Sequence, residues 1–101
     1  MRIFLFIAAT FLLFPAQAQK TKKAVYGTTS DILYRKGDKL TNYMKERCRL
    51  DVYHPKHIRN FSTVVWFHGG GLKAGNRRVP AELQEKGIAV VAVNYRLHPK
   101  V

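Results

Sequence analysis

Apolar and polar positions change period three times along the chain, and each change marks an element. Ile32-Leu33-Tyr34 leads into Arg35-Lys36-Gly37-Asp38, a strand candidate closed by a turn signal. In Arg47 to Tyr53 the side chains alternate, with Cys48, Leu50 and Val52 on one face and Arg49, Asp51 and Tyr53 on the other. That is the period of a strand with one buried side, and Pro55, which has no amide hydrogen for a ladder, ends it. After a polar loop over Lys56 to Asn60, Thr63-Val64-Val65-Trp66-Phe67 is apolar on both faces, which predicts a strand in the middle of a sheet. Three glycines, Gly69 to Gly71, interrupt it. Val79 to Lys86 reads as a short helix, with Pro80 in its first turn and Gly87 at its C-terminal cap. The apolar run Ile88 to Tyr95 follows as a further strand. Strand, glycine loop, helix and strand compose a βαβ unit, which requires a parallel pair, so the expected class is α/β.

A different pattern precedes these elements. Arg2 supplies a positive start, Ile3 to Phe14 is an unbroken run dominated by large apolar side chains, and Pro15-Ala16-Gln17-Ala18 ends in an Ala-x-Ala cleavage pattern. The run is too short to cross a bilayer core, which takes about 20 apolar residues. The expectation is a signal peptide over 1–18, cleaved after Ala18, with the product secreted or periplasmic and without a stable membrane anchor. Residues 19–29 then read as a loose leading segment, and 30–101 as the folded part.

Composition alters this picture in one respect. The formal charge of +12 invites a nucleic-acid reading. From Gln19 onward 17 Lys and Arg face 6 Asp and Glu, yet the basic residues are dispersed, with no dense tract and no nucleic-acid motif. Solvated surface accounts for them, and no nucleic-acid partner is expected. A small basic binder of nucleic acid or anionic membranes would declare itself by steeply salt-dependent binding. Cys48 is the single cysteine, so the chain has no internal disulfide and no cysteine-based metal site. His54, His57 and His98 lack metal-ligand spacing, and neither metal nor cofactor is expected.

The candidate chemistry is concentrated at Gly69-Gly70-Gly71. Three glycines directly after a strand expose backbone amides, and exposed amides can bind an anion, either a phosphate or the developing oxygen of a tetrahedral intermediate. Residues 69–78 contain neither Gly-x-Gly-x-x-Gly nor a Gly-Lys-Ser/Thr ending, so both nucleotide fingerprints fail.

With its flanks, the segment resembles the His-Gly-Gly-Gly oxyanion loop of α/β-hydrolase esterases and lipases. Leu50 to Pro55 looks like the second strand of that superfamily, Val64 to Gly71 like the third strand and its loop, and Val93 to Leu97 like the end of the fourth. The likeness spans roughly residues 30–101 and is nearest to the hormone-sensitive-lipase-like and bacterial feruloyl-esterase-like branches. It implies the N-terminal part of an α/β-hydrolase fold, a mostly parallel sheet represented by strands 1 to 4 and the first helix. It also implies that the amides of Gly70 and Gly71 form an oxyanion hole, that His68 and Gly69 support the loop, and that Tyr95 and Arg96 shape the base of a pocket.

The same resemblance places the triad in the order Ser, Asp or Glu, His, with the nucleophile in a Gly-x-Ser-x-Gly elbow on a later strand. Ser30 and Ser62 both precede the loop and neither lies in that pattern, so no catalytic triad residue is expected here. The expectation is therefore the N-terminal portion of an exported serine ester hydrolase acting on a small-molecule or polymer-linked ester. The alternative is a non-catalytic truncated relative that binds a partner or is vestigial.

Overall fold

The computed structural model describes residues 23–101; the expected signal peptide and its cleavage site lie outside the described residues. Four strands, β1 (Tyr26–Leu33), β2 (Arg49–Pro55), β3 (Thr63–Phe67) and β4 (Ala89–Val93), form one sheet in the order β1-β2-β4-β3. β1 with β2 and β2 with β4 are antiparallel, whereas β3 with β4 is parallel. Among the described residues, helical structure amounts to α1 (Asn42–Arg47) and a single 3-10 turn at Ala81–Leu83.

The α/β expectation is therefore corrected. The sheet is mixed and mostly antiparallel, strands dominate the described chain, and one short helix takes the place of the helical layer that an α/β fold requires. The resemblance to the α/β-hydrolase superfamily, with its mostly parallel sheet and first helix, falls with it.

The physical reason is visible in the β3–β4 connection. The predicted helix over Val79–Lys86 is short, so tertiary contacts rather than intrinsic helix stability decide its conformation. Gln84 is extended (ψ 148°) and Glu85 has φ 57°, so helical geometry ends after one turn. Tertiary bonds then take the amides that a helix would have used. Glu85 N donates to Tyr53 Oη at 2.9 Å and Gly87 N to Tyr26 Oη at 2.8 Å, from two phenol rings stacked 5.0 Å apart on neighbouring strands.

The core lies along β4. Ala89, Val90, Ala92 and Val93 are buried there, joined by Cys48 and Tyr53. β4 is flanked on both sides, by β2 and β3, so its backbone is paired along both edges. β3 occupies an edge, contrary to its expected central place, and Val65, Trp66 and Phe67 are 52, 36 and 62 % exposed. An apolar run alone does not assign a strand to the centre.

Two further elements depart from the sequence pattern. Residues 26–29 belong to β1 rather than to a loose segment, and pair with 52–55 of β2. Arg47 closes α1 instead of opening β2. Thr41 caps this helix, its hydroxyl accepting from Met44 N at 3.1 Å, and Lys45 and Arg47 in the last turn suit the negative end of the helix dipole. The Arg49/Asp51/Tyr53 face of β2 is not simply solvated either. Asp51 pairs with Arg77 at 2.8 Å, and Tyr53 is buried beneath the β3–β4 connection.

Val90 and Val65 share a side chain but not an environment, and truncation separates them. Val90→Ala is expected to lower unfolding free energy by roughly 2 kcal/mol, and Val65→Ala by less than about 0.5 kcal/mol, in urea denaturation. Equal losses at the two positions would place the core elsewhere.

Candidate functional site

The glycine loop leaves the C-terminal end of β3. Gly70, Gly71 and Leu72 all have positive φ, at 132°, 63° and 62°, and the resulting turn is closed by Lys73 N and Ala74 N donating to Gly70 O at 3.1 and 3.2 Å. A Cβ on Gly70 would collide with the carbonyl of Ala74, so residue 70 must be glycine for the turn to close. Leu72 adopts the left-handed region with a side chain, which costs of order 1–3 kcal/mol. His98 N donates to Leu72 O at 2.8 Å and holds it there.

The turn aims its polar groups unequally. Its carbonyls at Gly70 and Leu72 are engaged, whereas the N–H groups of Gly69, Gly70, Gly71 and Leu72 donate to no acceptor among the described residues. Gly69, Gly70, Gly71 and Leu72 are all exposed. The chain therefore presents a run of four free backbone donors at one end of the sheet.

Behind the turn lies His68, whose side chain packs inward. The residue is 6 % exposed and its ring stacks on Tyr95 at 4.5 Å, while Tyr95 Oη donates to His68 O at 2.7 Å. His68 Nδ1 lies 2.8 Å from Gly69 O; a carbonyl only accepts, so Nδ1 is the donor. Nε2 is buried with no partner among the described residues. His68 and Gly69 thus make a rigid joint between β3 and the turn.

Gly75 completes that joint, and sequence reasoning passed it over. A Cβ there would strike the His68 ring and the Gly69 carbonyl. Its φ of 109° is a second reason for glycine. By contrast, Gly69 has open space where a Cβ would stand, so of the three consecutive glycines it is the one that neither sterics nor a positive φ demands.

Arg47 and Asn94 are the other residues the sequence pattern did not single out. Arg47 is 7 % exposed, and its guanidinium donates from Nε to Tyr95 O at 3.0 Å, from Nη1 to Asn76 Oδ1 at 2.9 Å and from Nη2 to Gly75 O at 3.0 Å. Asn94, equally buried, accepts from Arg77 N on its side chain at 2.6 Å and from Tyr34 Oη on its carbonyl at 2.8 Å. A helix-ending arginine and a strand-ending asparagine carry no local periodicity, and their partners lie 17 to 60 residues away in sequence. Nothing local marks them.

The remaining candidates fall apart in space. Ser30 is in β1, three strands from β3 and so roughly 14 Å across the sheet. Ser62 precedes β3 and stands roughly 20 Å along it from the glycine turn. His54 lies in β2, with Nδ1 on Pro55 O, and His57 is in the loop beyond it. His98 alone among these histidines touches the turn, through its backbone. Arg96 is exposed, while Tyr95 is committed to His68. No group of three or more His, Cys, Asp or Glu suited to a metal occurs among the described residues. Tyr34 has its phenol pushed above the ordinary value, chiefly by burial and further by Cys48 beside it.

No protein-family model and no curated protein matches the sequence. The superfamily resemblance thus has neither a matching fold nor a matching family behind it.

Two measurements check the site's construction. Gly75→Ala is expected to cost roughly 2–4 kcal/mol in chemical denaturation, whereas Gly69→Ala stays within about 0.5 kcal/mol. For Tyr34, ultraviolet titration of wild type minus Tyr34→Phe should reveal a phenol ionising above pH ~10. Its neutral form is favoured in the folded state. The corresponding stability is therefore complete below the unfolded phenol pKa of about 10 and is lost as pH rises through the higher folded value.

Proposed function

We propose that the Gly69–Leu72 turn binds the carbonyl oxygen of an ester and stabilises the oxyanion that forms there, as part of an exported carboxylic ester hydrolase. The observation that carries this reading is the run of free N–H donors on a turn braced by His68, Tyr95 and Arg47. Donors held rigidly before reaction need no reorganisation when charge develops on the oxygen, which is the condition for strong transition-state stabilisation. In this role Gly70 and Gly71 act through the backbone, and His68 and Gly69 act by holding the loop.

Neither serine stands near enough to attack a carbonyl held at the turn. The nucleophile and its acid–base partner on this reading belong to polypeptide other than these residues, and the loop supplies one half of the chemistry. Loss of a single oxyanion donor in such a site lowers kcat by about 10²–10³. The leader pattern of residues 1–18 supports action outside the cytoplasm on a small-molecule or polymer-linked ester.

A phosphonate monoester, whose tetrahedral anion imitates the intermediate, provides the test. Added to the ¹⁵N-labelled chain, it is expected to move the amide protons of Gly70 and Gly71 downfield in a saturable manner, and Gly70→Ala is expected to abolish the response. Saturation without any shift at these two amides, or no binding at all, refutes the proposal.

A further inference from the structure

We infer that the cleft between α1, the glycine turn and the 97–100 segment is a binding site for a small carboxylate with an apolar body. The cleft has a volume of about 300 Å³, the lower end of the range for small-molecule sites. It lies beside the proposed ester site, sharing with it Lys73, Arg47, which braces the turn, and His98, whose amide holds Leu72, but its ligand chemistry does not depend on that reading.

Charge is the first argument. Lys73 from the turn, Lys100 from the chain beyond β4 and Arg47 from α1 line the cleft, against one carboxylate, Glu46. Neither lysine forms a salt bridge among the described residues; the described ion pairs all involve Arg49 or Arg77. Three cations thus face one carboxylate at a concave surface, where the field is concentrated.

The second argument is the state of Arg47. Three of its five N–H groups are spent on Tyr95, Asn76 and Gly75, which fixes the plane of the guanidinium. One N–H on Nη1 and one on Nη2 remain without a partner among the described residues. An immobilised guanidinium with donor capacity left on each terminal nitrogen adds a fixed positive charge at the cleft wall, which favours a carboxylate there.

The rest of the wall decides what the carboxylate is attached to. Tyr43, Leu97 and Pro99 contribute apolar surface, and Tyr43 is fixed by Leu97 N donating to its hydroxyl at 2.9 Å, with Lys100 Nζ 5.1 Å from its ring centre. An aromatic ring of benzoate size fits this volume and lies against these side chains, whereas inorganic phosphate would leave them bare.

The experiment is an NMR titration of the ¹⁵N-labelled full chain with benzoate, benzamide and inorganic phosphate. Benzoate is expected to give saturable shifts at Lys73, Leu97 and Lys100, benzamide none, and phosphate an affinity at least tenfold weaker. The double substitution Lys73→Ala/Lys100→Ala, at two exposed positions, should weaken benzoate binding by about tenfold or more, equivalent to ~1.4 kcal/mol. Glu46→Gln should strengthen it. Equal binding of benzamide, phosphate binding as tight as benzoate, an unchanged affinity in the double variant, or no saturation with benzoate each overturns the inference.

Discussion

A single buried cation joins the parts of this molecule that the sheet does not. Arg47 ends α1, and its guanidinium reaches the carbonyl just past β4 and the return of the glycine loop. Burying a guanidinium is costly, and among the described residues Arg47 has no carboxylate partner; the compensation comes from three neutral oxygens. The arrangement is mutual. Those oxygens are placed by β4 and the loop, and the same three bonds tie the loop to α1.

Next to this tie stands a neutral one. Asn94 gathers Tyr34, Arg49 and Arg77 around the end of β4: its amide donates to Arg49 O, its carbonyl accepts from Tyr34, and its side chain accepts from Arg77. Arg77 continues to Asp51 and Asp31, and Arg49 meets Asp31 from the other side. The outer pairs are partly solvated and contribute little each. What they do is tie the segment after the glycine turn to β1 and β2. The placement of Gly70 and Gly71 thus depends on residues on α1, β2 and β4 as much as on the glycines.

Much of this could be read from the amino acids, and the rest could not, for identifiable reasons. The apolar runs at 63–67 and 88–95 locate β3 and β4, because side chains of that kind have no other use in a folded chain of this size. Their places in the sheet do not follow, since Thr63–Phe67 is apolar on both faces and yet lies at an edge with Trp66 and Phe67 half in solvent. The helix expected at 79–86 has favourable residues but loses its amides to Tyr26 and Tyr53, two hydroxyls whose proximity is a product of the β1–β2 register. α1 left a signal that was there to be used, Thr41 before a run of helix formers, but the alternation of Arg47 to Tyr53 masked it. For the candidate site, Gly70 stands out in the sequence, while Gly75 does not; a solitary glycine five residues on gives no hint that a histidine ring lies against it.

The two edges of the sheet differ in one respect that reaches beyond the single molecule. β1 carries an irregularity between Thr29 and Ile32, with Asp31 at φ 61° and two arginines gathered about it. β3 has no such interruption, no charge and no proline in its five residues. Lateral addition of a further strand is therefore open on one flank and obstructed on the other. Sheet extension by a further strand is therefore favoured along β3 over β1, which makes any association of this kind directional.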